Sequence, residues 1–152
     1  MKFLAALAFG FLSTALISPA HAANCASANS IISVTNHKLG AFEYVRFKVK
    51  KPFSASYTTT NVLPPFTQDG SGTVVPVSGG KWTQLQFQNV EWMCTIHQAI
   101  SLPKPIVKDI KSLGQFEGVI AYVIGRKATS HYISTTTINA GSYKLITVKF
   151  SP

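Results

Sequence analysis

The chain has 152 residues, 14 Lys and Arg against 5 Asp and Glu, a formal net charge of +9, and two cysteines. That length suits one domain with one core and not two. The cationic excess points to anionic partners, and two cysteines without a Cys-x-x-Cys pair or Cys/His cluster give no sign of zinc or dithiol redox chemistry.

Met1-Lys2 is a short positive start, Phe3 to Ile17 an apolar run, and Ala20-His21-Ala22 a small-x-small cleavage pattern after Pro19. Residues 1–22 therefore read as a secretory signal peptide. A retained membrane anchor is the rival, but the run is shorter than the ~20 residues a spanning helix needs. No later segment is long and apolar enough to span a membrane. The expected mature chain, 23–152, loses Lys2, so 13 basic and 5 acidic residues leave +8. An exported chain of that charge is drawn to cell-wall polymers, anionic glycans or lipid head groups. Without an RNA- or DNA-binding motif, nucleic acid is not an expected partner. The expected location is secreted, periplasmic or cell-wall associated.

Cys25 and Cys94 are expected to pair as a disulfide in such a compartment. Closing that loop would stabilise the fold by roughly 4 kcal/mol on a chain-entropy account. A lipidated Cys25 is the alternative; Asn24 is a poor neighbour for it. Trp92 is expected to pack on the disulfide.

Ile31 to Thr35 reads as a first strand and Asn36 to Gly40 as a turn. Phe42 to Lys50 alternates, with Val45, Phe47 and Val49 on one face and Tyr44, Arg46, Lys48 and Lys50 on the other. Phe53 to Thr60 is a third strand, and Asn61 to Gly72 a loop with Pro64-Pro65 and Asp69-Gly70 as turn signals. Val74 to Val77, carrying Pro76, reads as an edge strand. Lys81 to Asn89 alternates again, Leu85 and Phe87 against Trp82, Gln84, Gln86 and Gln88. Glu91 to Pro105 is irregular. Ile106 to Ser112 is a strand or a helical turn, and Leu113 to Gln115 leads into the next segment.

Phe116 to Gly125 is the longest apolar run of the mature chain, and Glu117 is its one charge. Its β-branched and aromatic content favours a strand over a helix, and apolar residues on both faces predict cover on both. His131 to Ile138 and Tyr143 to Phe150 are the last strands. Eight or nine short strands between turn signals, with no amphipathic helix, predict an all-β antiparallel sandwich.

The order Leu39-Gly40-Ala41-Phe42, Val45 to Val49, Asp69 to Gly72, Phe116-Glu117-Gly118, Tyr122 to Gly125 and Tyr143 to Val148 resembles the AMIN-like domain of secreted and lipid-anchored actinobacterial proteins. The resemblance covers about Ile31 to Phe150. It implies a β-sandwich in the cell envelope that acts as a non-catalytic module, since AMIN domains bring amidases and secretion components to peptidoglycan. Glu43-Tyr44 and Lys144 stand where the family pattern has an Asp-Arg pair and an Arg.

Two faces are candidate ligand sites. The row Tyr44, Arg46, Lys48 and Lys50 could track anionic groups. The row Trp82, Gln84, Gln86 and Gln88 offers the aromatic and amide groups that hold sugars. Each can equally be a solvated strand face. Glu117 is expected to meet Arg126, Arg46 or Lys144; no second carboxylate stands in a catalytic motif beside it, so no enzyme is read. His37, His97 and His131 have no metal-ligand spacing, and no metal or cofactor is expected. The leading expectation is an envelope module for peptidoglycan or an associated anionic glycan. The alternative is an interaction or inhibitor module for an exported protein. If the two faces adjoin, a glycan groove is favoured; if they lie on opposite sides, a protein partner is.

Overall fold

The computed structural model describes residues 27–91, 98–99 and 105–152. The expected signal segment, Cys25, Trp92, Cys94 and His97 lie outside the described residues. The strands are β1 (Ile31–Leu39), β2 (Phe42–Lys50), β3 (Ser56–Val62), β4 (Lys81–Gln88), β5 (Gln98–Ala99), β6 (Val107–Phe116), β7 (Val119–Arg126), β8 (His131–Ala140) and β9 (Tyr143–Ser151). Eight of them form two antiparallel sheets, ordered β1-β2-β9-β8 and β3-β4-β7-β6; the two-residue β5 adds to β1 in parallel. The described residues contain no helix, and the chain is a β-sandwich.

Alternation in sequence becomes alternation in burial. Along β2, Val45, Phe47 and Val49 are buried between half-buried Tyr44, Arg46, Lys48 and Lys50. Along β4, Leu85 and Phe87 are buried between Gln84 and Gln86. The inner faces meet in one core that includes Phe47, Phe87, Ile120, Tyr122, Ile146 and Phe150. Rings order its centre: Phe47 lies 5.0 Å from Tyr122 and 5.5 Å from Phe87 between centroids. Such tilted pairs add about 0.5–1.5 kcal/mol each beyond the area they bury. Burial pushes the Tyr122 phenol well above its ordinary range, so the ring stays neutral.

β7 has both faces covered, as its apolar run requires. Ile120, Tyr122 and Ile124 enter the main core. Ala121 and Val123 join a second cluster with Phe66 and Leu113, against which Val62, Val75, Val77 and Trp82 pack. The segment 63–79 thus forms a third layer over the outer face of the second sheet. It holds no strand: Val74 makes only an isolated bridge to Thr67, in place of the expected edge strand Val74–Val77.

Several other boundaries differ from the sequence reading. Asn36 to Leu39 is strand and not turn, because a tighter reversal at Gly40-Ala41 lets β1 pair along β2 as far as Leu39↔Phe42. Residues 107–116 form one bulged strand, and Glu117 is not inside β7. Glu117 and Gly118, at φ of 48° and 77°, make the two-residue reversal between β6 and β7. Two positive φ values in succession match the twist of a tight hairpin. Glu117 is therefore exposed.

The fully buried acid is Glu43, which shares the inner face of β2 with Val45 and Phe47. Its Oε1 accepts the Ile106 amide at 3.0 Å and its Oε2 the Val107 amide at 2.7 Å. One side chain of the first sheet thereby fixes the start of β6 in the second. Across the other edge, Tyr57 and Thr59 of β3 meet Thr137 and Thr135 of β8 at 2.7 and 2.9 Å. Glu43→Ala strands two buried amides and is expected to lower stability by about 3 kcal/mol. Glu43→Gln keeps one carbonyl acceptor and should lose less. Urea midpoints of the two variants measure this, and equal midpoints for Glu43→Ala and the wild type would refute the clamp.

Candidate functional site

The register assembles the outer face of the first sheet. β2 pairs β9 with Tyr44↔Lys149, Arg46↔Thr147, Lys48↔Leu145 and Lys50↔Tyr143. β1 sets His37 beside Tyr44 and Thr35 beside Arg46. Lys149 of β9 thus joins the row of Arg46, Lys48 and Lys50. Of the five acids in the chain, none lies on this face: Glu43 points inward, Asp109 belongs to β6, Asp69 and Glu117 lie in connections of the second sheet, and Glu91 follows β4.

Aromatic rings hold the cations in place. Lys48 Nζ sits 4.0 Å and Lys50 Nζ 5.4 Å from the Tyr143 ring centre. Lys149 Nζ is 3.9 Å from the Phe42 ring and 5.9 Å from Tyr44. Each such contact contributes about 0.5–1 kcal/mol at an exposed site and leaves the charge available. Tyr44 stacks on His37 at 5.2 Å. A depression of about 370 Å³ crosses the face between Thr35, Arg46, Lys48, Tyr143 and Leu145. The Arg46 Nε is covered and has no hydrogen-bond partner. Ile138, opposite Leu145 and 56% exposed, adds an aliphatic rim.

The amide row lies on the opposite side of the sandwich, on the outer face of the second sheet. Its parts are largely engaged with one another and with the covering segment. Gln84 Nε2 donates to Gln86 Oε1 at 3.2 Å, and Ser56 donates to Gln88 at 3.4 Å. Trp82 packs on Phe66 at 5.9 Å and donates its indole N–H to the Val77 carbonyl at 3.1 Å. Gln84 and Gln86 line a groove of about 270 Å³ together with Asp69 and Leu63. The two candidate rows therefore do not share a groove.

Sequence reasoning missed the contribution of β9, because Lys149 and Tyr143 reach β2 only through a pairing about a hundred residues apart in the chain. Alternation with Ile146, Val148 and Phe150 was the available signal for their outward direction. Glu117 makes no ion pair within 4.0 Å; among the described residues the one such pair is Lys111 with Asp109 at 3.7 Å. His37 and His131 stand in different strands, and among the described residues no cluster of three His, Cys, Asp or Glu could hold a metal. No helix among the described residues is long and apolar enough to cross a membrane.

A comparison with protein families matched no family model, and a comparison with curated proteins gave no match.

The cover of the second sheet comes closest to it at Gly125. A methyl at Gly125 would collide with the Ser78 carbonyl oxygen and approach Val77 to 3.1 Å. Asp109 Oδ2 accepts the Ser78 amide at 3.1 Å and holds that approach. Gly125→Ala is expected to cost about 1–3 kcal/mol by overpacking and to speed proteolysis within residues 63–79. Unchanged cleavage there would show that the segment is held by other contacts.

Proposed function

We propose that this protein is an exported, non-catalytic binding module that docks an acidic protein partner on the outer face of its first sheet. The carrying observation is the face itself: Arg46, Lys48, Lys50 and Lys149 share it with Phe42, Tyr44 and Tyr143 and with no acid. Arginine and tyrosine set among aliphatic side chains are the residue types that concentrate binding energy at protein interfaces. Lysines already laid over rings lose less freedom on binding than free ones. Four strands about 4.8 Å apart and about eight residues long give roughly 500 Å², below the roughly 800 Å² per partner of a standard stable interface. A reversible, salt-sensitive complex is the expected outcome.

The second reading is an anionic wall glycan, in the manner of the AMIN-like resemblance, and the charge of the face favours it too. Geometry supports it less. The amide row lies on the other side, Trp82 is engaged beneath the covering segment, and the rings of the basic face already carry lysine or imidazole partners.

Pull-down from periplasm or culture fluid with the mature chain should enrich one acidic protein at stoichiometric amounts, and the reversed-charge variant Arg46→Glu/Lys48→Glu should lose it. Raising salt from about 50 to 500 mM should release it, since exposed charges beyond a few ångströms are then screened. Co-sedimentation with purified sacculi is the contrast. Pelleting at low salt that the same variant abolishes, with no enriched protein, would establish the glycan reading instead. Failure of both assays would refute the binding face.

A further inference from the structure

At one end of the sandwich, Arg126 of β7 lies directly across from Lys81 of β4. Like charges in directly opposed positions of an antiparallel pair repel. Arg126 is 3% exposed, and among the described residues no carboxylate lies within 4.0 Å of it. Only neutral groups receive its N–H donors. Nε donates to Thr83 Oγ1 at 3.1 Å, Nη1 to the Ser130 carbonyl and hydroxyl, and Nη2 to Asn61 Oδ1 at 3.1 Å. Four of the five donors of a guanidinium are then used, which leaves one on Nη2. Lys81 Nζ reaches the same Ser130 carbonyl at 3.5 Å, so two cations converge on one neutral oxygen. Burial lowers the Arg126 pKa from its ordinary value.

Both cations line a cleft of about 310 Å³ that Leu63, Trp82, His131 and Tyr132 also border. Leu63 is 82% exposed, an aliphatic side chain held at the mouth with nothing over it. The volume lies at the small end of the range for organic ligands. A cleft with a buried guanidinium, an exposed lysine beside it and apolar walls, and with no carboxylate among the described residues within 4.0 Å of either cation, matches an amphipathic anion.

We propose that this cleft binds a small organic carboxylate, with its charged group between Arg126 and Lys81 and its apolar body against Leu63 and Tyr132. The site is separate from the basic face of the first sheet, so neither proposal depends on the other.

Isothermal titration of the mature chain with benzoate, hexanoate, benzamide and inorganic phosphate tests it. Both carboxylates should bind saturably, and benzamide, of the same shape without the charge, should not. Lys81→Met should weaken benzoate about tenfold, the effect of one charge-assisted contact, and Leu63→Ala should weaken hexanoate. Without ligand, Lys81→Met should melt at a higher temperature than the wild type, because it removes the repulsion; this reading survives even if Arg126 variants do not fold. The proposal is overturned if neither carboxylate binds, if benzamide binds as well as benzoate, if phosphate alone binds, or if Lys81→Met lowers the melting temperature.

Discussion

β7 has no free face, and most of the architecture answers that constraint. A strand that carries Ile120, Tyr122 and Ile124 on one side and Ala121 and Val123 on the other would leave one apolar row in water if the sandwich had only two layers. The segment 63–79 supplies the missing cover. It is irregular, so its backbone polar groups need partners beyond a ladder. Asp109 accepts the Ser78 amide, Trp82 donates to the Val77 carbonyl, and Asp69 N–H donates to the Leu113 carbonyl. Gly125 allows the close approach. The last of these bonds brings Asp69 to the second sheet, where Asp109 of β6 already stands.

The first sheet has the opposite condition. Among the described residues, β5 only extends this sheet at the β1 edge, and the outer face carries cationic, aromatic and polar side chains with Leu145 and Ile138 among them. The acids are gathered elsewhere, Glu43 buried inside the sandwich and four, Asp109 buried among them, around the second sheet, so the net charge of the chain is concentrated on one side. A field of one sign over a face steers charged partners and speeds encounter. The rings beneath Lys48 and Lys149 keep the ammonium groups from wandering, so the charge is fixed in place as well as in sign.

What could be read in the sequence divides along a physical line. β2, β4 and β9 were legible because each has one wet and one dry face, and a period of two then fixes direction. The double cover of β7 was legible from its composition. Val74 to Val77 was misread because apolar residues that pack on a sheet look like residues within one; Pro76 marks a segment that cannot complete a ladder. Glu117 was misread because a run of apolar letters hid a Glu-Gly reversal, although Gly118 was in view. Glu43 was legible in principle: it shares the parity of Val45, Phe47 and Val49, so it had to point inward. No sequence rule names its partners, Ile106 and Val107, because they lie in the other sheet.

Glu43 and Arg126 show how the same sandwich end treats two buried charges. Both adjoin Phe150: Glu43 pairs with it in the β2–β9 ladder, and the Arg126 guanidinium carbon lies 5.7 Å from its ring centre. Val107 touches both, since its amide donates to Glu43 and it pairs with Arg126 in β6–β7. The two charges are neighbours in the fold, yet they form no ion pair within 4.0 Å. Two short amide bonds hold the carboxylate at the start of β6; a swing towards Arg126 would break both, at about 1–3 kcal/mol for each stranded group. The acid is thus satisfied where it is. The cation is left with neutral acceptors and a lysine across the strand, in a cleft that opens to solvent. Firm amide bonds at Glu43 thus leave the Arg126 donors to neutral acceptors.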